Sequence, residues 1–546
     1  MKPKHPYWTV AVWCVMFFAL VPSMCAQEAA APRRTGVPQD WSQHNIVFSR
    51  DGLAQHPDVL YREPRVLHQA MQRWQAPNSD VFRGVDPVPA SAGKPGPHRD
   101  WNVALVKGGI SLTMSPAKFS LDPGAPPDCV NDYVVFGLDV AGVTGGTANL
   151  VAFNNLYSGT LPTGICGAAP AVLFAYNITT SPAGKIITSP ILSEDGKKVA
   201  FVESNGTFAV FHVLTWTAGG SITAAAAPAS MISVPFSPAA NDTTSSPWID
   251  YSSDIVYVGN DRGAVAKITG VFRGTPTLVT TAPWPVALGT NFHLTSPVLD
   301  AVRGKLMIGS ANGSLYQVDT TSGLKTTLVV GKSGATTPGI VAAPIVDVTN
   351  GTTFVVSAND GTSAVLVQAD TAANTQMSKV SIGLGSSGGT ALNIFQPALS
   401  NQYYNSPSGG QIHLCGTGTA DTTPWQYAFG FTGRTMNTTP AGKQQLLTST
   451  VARCTAWTEF FNPNVGGGTD FFFFGINQDC TAPGTGFTDG CVVARSSSST
   501  LIKTTVNGGP SGIIIDNYST AAQAANIYLS SERGNTAYKF TQNGLQ

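Results

Sequence analysis

One segment constrains the fold more than any other: Leu294–Gly323, LTSPVLDAVRGKLMIGSANGSLYQVDTTSG. Pro297–Asp300 reads as a short buried strand, Arg303-Gly304 as a turn, and Lys305–Gly309 as a second strand. Asn312-Gly313 is a strong hairpin signal, expected to place both turn residues at positive φ. Ser314–Val318 supplies a third strand, and Lys325–Val330 a fourth after the turn at Thr321–Gly323.

The pattern repeats. Ser189-Pro190 precedes KVAFVES and TFAVFHVLTW, Ser246-Pro247 precedes DIVYVGN and AVAKITGVF, and Ala343-Pro344 precedes TTFVVSA and AVLVQAD. The anchoring prolines Pro190, Pro247, Pro297, Pro344 and Pro397 are separated by 57, 50, 47 and 53 residues. Weaker copies begin near Ala117, near Cys454 and at Gly512, which makes eight. Four strands per ~40–50 residues is the signature of a β-propeller, whose blades bury their faces on one another around a ring. The expected fold is therefore all-β: an eight-bladed propeller (seven is the alternative) of four-stranded antiparallel blades. The last copy shows three strands, and Trp101–Val106, upstream of the first copy, is expected to supply the fourth and clasp the ring.

The chain starts with Lys2 and Lys4, then an apolar run over Tyr7–Val21 that is short for a bilayer span, then Met24-Cys25-Ala26. This reads as a signal peptide over 1–26 cleaved after Ala26; Met24 is large for a lipidation motif at Cys25. Residues 27–98 form an N-terminal extension with a Pro/Gly linker at Gly84–His98, and 99–546 the propeller. Within the extension, Pro64 starts an expected helix with Leu67, Met71 and Trp74 on one face. No later stretch is a membrane-span candidate.

Charged residues are 11% of 546 and the formal net charge is zero, so no field draws nucleic acid or an anionic membrane. Beyond the leader six cysteines remain: Cys129, Cys166, Cys415, Cys454, Cys480 and Cys491. An even number in an exported chain suggests disulfides. Proximity favours Cys480–Cys491, with Cys129–Cys166 and Cys415–Cys454 following, among fifteen possible pairings. None of these cysteines has zinc spacing.

The unit SPVLD…KLMIGSANGSLYQVDTTSG resembles the repeat of quinoprotein-like β-propellers, the PQQ-type repeat, with Tyr316, Asp319 and Gly323 matching its "Y-x-x-D" strand and "T/S-G" turn. Ser246-Pro247 with Asp250, and Ala343-Pro344 with Asp347, match parts of the frame. The chain also resembles exported bacterial propeller proteins with a DWS-type segment, here Asp40-Trp41-Ser42. The resemblance implies the scaffold over 100–546. Against the redox chemistry, Thr326–Val329 hold the positions of the docking tryptophan, the adjacent cysteine pair is missing, and no calcium set is assignable.

Gly383–Gly389 satisfies GxGxxG and GxSxG, but no convincing helix follows; it reads as a flexible inter-blade loop. His44, His56, His68, His98, His212, His293 and His413 are scattered. Glu203 and Glu459 sit in or near strands, and Asp250, Asp300 and Asp347 read as turn caps. No catalytic, cofactor or metal residue is assigned. The expected function is an exported, monomeric, non-catalytic module binding protein or glycan. Alternatives are a hydrolase or lyase acting on polymers, or a quinone-dependent oxidoreductase, with the site on the propeller axis.

Overall fold

A computed structural model describes residues 46–49, 51, 97–110, 114–121, 127–159, 165–237, 242–332, 339–462, 469–496, 501–516 and 526–542. The helix expected over Arg62–Trp74 and the leader lie outside these. The described strands form eight sheets, each with a four-stranded antiparallel blade. Blade one spans Ala117–Tyr176, two Ile191–Ser237, three Trp248–Ala287, four Val298–Val329, five Ile345–Ser381, six Ala398–Gln445 and seven Thr458–Val506. Blade eight takes three strands from Ile514–Gln542 and its fourth from Pro97–Ala104, which runs antiparallel to Thr536–Gln542. The end-clasping expectation holds, with the strand starting four residues earlier than Trp101.

In each blade the first strand is short and mostly buried, as in Val298–Asp300 and Ile345–Asp347. The fourth, such as Lys325–Val329 or Gly442–Gln445, is largely exposed. First strands of most successive blades touch, as Val298–Asp300 touches Ile345–Asp347, and they form the inner wall. The strand Ile46–Phe48 pairs in parallel with Ala117–Ser120, the first strand of blade one, and is buried on the axis side of that wall.

The structure explains why the repeat has its letters. Ser-Pro marks the entry to the inner strand, and the serines link blades. The Ser115 N–H donates to Ser189 Oγ (2.9 Å), Ser189 N–H to Ser246 Oγ (2.9 Å), and Ser246 N–H to Ser296 Oγ (2.8 Å). The glycine at or next to the end of the second strand has a steric cause. A Cβ on Gly137, Gly259, Gly309 or Gly475 would lie 2.4 Å from Ile186, 2.7 Å from Leu294, 2.5 Å from Ile340 or 2.3 Å from Pro510.

Asp300 and Asp347 cap the next turn by accepting backbone N–H groups of Val302 and Arg303, and of Thr349 and Asn350. At the Asn312-Gly313 turn one expectation is corrected. Only Gly313 has positive φ (87°); Asn312 instead turns its side chain inward and accepts the Ser314 N–H at 2.9 Å. The Gly313 N–H returns to the Ser310 carbonyl, the geometry of a type I turn followed by a left-handed glycine. The Gly383–Gly389 loop is also tighter than expected: Gly385 and Ser386 are buried, and Ser386 Oγ donates to the Leu392 carbonyl.

Disulfides join Cys129 to Cys166 within blade one, Cys415 of blade six to Cys454 on the approach to blade seven, and Cys480 to Cys491 in blade seven. Blades one and eight meet over a buried ionic cluster. Lys118 pairs with Asp516, and Lys539 with Asp100, all four side chains being at most 5% exposed. Asp132 approaches Lys118 at 3.8 Å and accepts the Tyr157 hydroxyl at 2.7 Å.

Candidate functional site

Among the described residues, no helix is long and apolar enough to cross a membrane. The axis, where the enzyme alternatives would put their site, carries the buried strand Ile46–Phe48. A polar groove lies elsewhere, between blades six and seven.

Alternation builds it. On the second strand of blade six, Gln411–Thr417, residues Gln411, His413 and Cys415 share a face because strand side chains repeat every two residues. On the third, Pro424–Thr432, Ala428 lies opposite His413, and Gln426 opposite Cys415. The outer strand adds Gln444 beside Gln426 and Gly442 beside Ala428. Blade seven contributes Phe472 and its cross-strand partner Arg495. Towards Cys415 the interface closes, with Trp457, Phe474 and Ile476 packing around the Cys415–Cys454 bridge. Towards Gln411 it opens into a groove of about 430 Å³ lined by Gln411, His413, Gln426, Lys443, Gln444 and Arg495, with Ala428, Ala441, Gly442 and Phe472 beneath. That volume suits a small ligand.

Two lining groups are unusual. His413 is 9% exposed and Gln426 2% exposed, yet His413 Nδ1 and Gln426 Oε1 have no hydrogen-bond partner among the described residues. Buried polar atoms are nearly always paired, because each orphan costs ~1–3 kcal/mol. His413 stacks against Phe472 with ring centroids 4.2 Å apart. Burial, with the Arg495 charge adding to it, pushes its pKa down to about 3, so the ring is neutral around pH 7. Arg495 donates to Gln444 Oε1 at 3.2 Å. Lys443 lies over the Trp425 and Tyr427 rings at 4.7 and 5.2 Å. Glu459 is buried beside Phe472 on the same blade but does not line the groove.

Of the residues singled out in the sequence, the structure thus places His413 in the groove. It brings His212 and Glu203 together elsewhere, inside blade two. There His212 Nε2 donates to Glu203 Oε2 at 2.9 Å, and Nδ1 pairs with the Ser233 hydroxyl at 2.9 Å. Burial alone would raise the pKa of Glu203. Hydrogen bonds from His212, Thr180 and Ser181 outweigh it and hold the carboxyl down at about 2. This row has the residue types of a nucleophilic relay, but it crosses neighbouring strands of one sheet and its carboxylate is saturated by Thr180 and Ser181. We assign it a structural role. His293 pairs with Asp261 at 2.8 Å at the surface. Arg495, Lys443 and the glutamines were not singled out. The available signal was Gln426, at a third-strand position where other blades carry Val151, Ala266, Tyr316 and Val493.

No protein-family model and no curated protein matches the sequence. Solved structures with similar folds include BamB from Moraxella catarrhalis (14% identity, 82% of this chain and 99% of that one, TM-score 0.41). The Dos1 propeller is similar at 11% identity, 82% and 95% coverage and TM-score 0.46. The WD40 domain of Toxoplasma gondii coronin is similar at 12% identity, 82% and 88% coverage and TM-score 0.37. At such identities the likeness is one of fold.

Proposed function

We propose that this chain is an exported, monomeric, non-catalytic binding module that acts at the cell envelope or outside it, with a glycan as its ligand in the groove between blades six and seven. The carrying observation is the pair of buried, unpartnered polar atoms, His413 Nδ1 and Gln426 Oε1, in a groove walled by glutamines. Amides and a neutral imidazole both donate and accept, which matches the mixed needs of sugar hydroxyls. A closed ring holds the wall rigid, so little ordering entropy opposes binding. Three disulfides support residence in an oxidising compartment, in line with the leader expected over 1–26.

The test is a glycan array probed with purified wild-type chain and with Gly442→Leu. Gly442 lies on the groove wall, and a Cβ there meets only Ala428, at 3.7 Å, so the leucine fills the groove. Wild type should bind a defined set of glycans and the variant none of them, with unchanged thermal melting. Retention of the whole set by Gly442→Leu, or silence of the array towards wild type, would refute the reading.

A further inference from the structure

The groove wall has a sign. Among the described residues, Arg495 is the cation whose side chain faces it, and no carboxylate lines it. His413 adds no charge, because its low pKa keeps it neutral. Partial burial lowers the pKa of Arg495, but an arginine starts so far above neutral pH that it stays a cation. Its bond to Gln444 takes one of five guanidinium donors. An incoming carboxylate can therefore take two parallel N–H groups from the same fork, the geometry in which arginine recognises carboxylates best. Lys443 turns its ammonium to the other face of the blade, over Trp425 and Tyr427, which leaves the Arg495 fork as the cation that faces the groove.

We propose that the groove recognises a hexuronic acid residue of an acidic polysaccharide. Arg495 takes the carboxylate, and His413 Nδ1 and Gln426 Oε1 take ring hydroxyls. This rests on the reading of the groove as a glycan site and adds the charge of the ligand. A sugar acid combines a carboxylate for the fork with several neutral hydroxyls within the span of one short groove. An acidic peptide fits less well. It binds through an apolar anchor or an open strand edge, and here the apolar floor is two alanines, Ala428 and Ala441, and the rim of Phe472, with no large side chain's pocket among them.

Calorimetry on the full chain at low ionic strength tests it, with short oligomers of galacturonate, mannuronate and glucuronate, the methyl ester of whichever binds, and triglutamate as probes. At least one acidic oligomer should bind. Its methyl ester, which keeps the rings and loses the charge, should bind about tenfold more weakly. Arg495→Gln should weaken the acid about tenfold and leave the ester within about twofold. Gly442→Leu should abolish both. Equal affinity for acid and ester, or indifference to Arg495→Gln, overturns the carboxylate assignment and leaves the glycan reading standing. Arg495-dependent binding of triglutamate with no sugar binding replaces the ligand class with an acidic peptide. Absence of binding by all three acidic oligomers, with array binding of neutral glycans, overturns the uronate proposal alone; absence of both overturns the glycan reading too. Melting curves of both variants, expected to match wild type, separate these outcomes from misfolding.

Discussion

The repeat is ordinary until one asks which single atoms it cannot spare. Gly184 is such a place. It lies in the connection before blade two, and a Cβ on it would stand 1.7 Å from Glu203 Oε1. That oxygen already accepts the Thr180 N–H at 2.9 Å and the Ser181 N–H and hydroxyl at 3.0 Å. Gly184→Ala must therefore push a buried carboxylate off its donors and away from His212, at a cost of about 2–4 kcal/mol. Urea denaturation reads it. The same substitution should cost under about 1 kcal/mol when added to Glu203→Ala, because the clash and the hydrogen bonds are then gone together. Additive losses would show that the glycine serves the backbone instead. Nothing in the sequence could disclose this. Glu203 and His212 were visible as a carboxylate and an imidazole in adjacent strands, but Gly184 earns its place through a neighbour nineteen positions away.

At the scale of elements, the sequence was legible where one residue type had one local cause. Lys305–Gly309 and Lys198–Ser204 form strands with the ends the turn dipeptides implied. The outermost strands were harder, because exposure removes the apolar signal: Met231–Ser237 and Gly442–Gln445 alternate poorly with their surroundings. The inter-blade serines were visible as Ser-Pro anchors without a reason. Their reason is a hydrogen bond to another blade, about fifty residues away, which no local pattern encodes. It leads to a prediction. Ser246→Ala removes the acceptor of the Ser189 N–H, and both residues are at most 3% exposed. The orphaned N–H should cost about 1–3 kcal/mol. Ser252→Ala, at an exposed turn, should stay within about 0.5 kcal/mol. Equal thermal shifts in the two variants would mean that the serine links contribute nothing between blades. The groove was illegible for the same reason as the links. Arg495 and His413 are 82 positions apart in the chain, and only the stacking of blade seven on blade six makes them neighbours.

For the whole molecule the decisive place is the seam where the ring closes. The closing strand Pro97–Ala104 hydrogen-bonds to the last strand of the chain, and behind that pairing sit Lys118, Asp516, Asp132, Lys539 and Asp100. Buried ion pairs are poor sources of stability but costly to break, because the surviving charge is left without water or a partner. Lys118→Met should therefore destabilise by about 3–5 kcal/mol. Lys118→Met with Asp516→Leu should recover most of that loss, since Asp132 keeps its bonds from Tyr157 and from the Leu121 N–H at 2.8 Å. The pH dependence has a definite sign. Burial raises the pKa of Asp516, with Lys118 opposing, to about 6 against an ordinary 3.8. A raised carboxyl pKa means that stability present below about pH 4 is lost as the pH rises through about 6. Removing Lys118 lifts that pKa further, so the deficit of Lys118→Met should be smaller at pH 5 than at pH 8, and the double variant should show no such difference. Because the seam joins Asp100 to Lys539, 439 positions apart along the chain, the loss should first appear as ring opening. Hydrogen exchange should quicken in Pro97–Ala104 and Thr536–Gln542 before it does in blade four, on the far side. Uniform quickening in all blades, or a double variant no more stable than Lys118→Met alone, would show that closure depends on strand pairing and owes nothing to the buried charges.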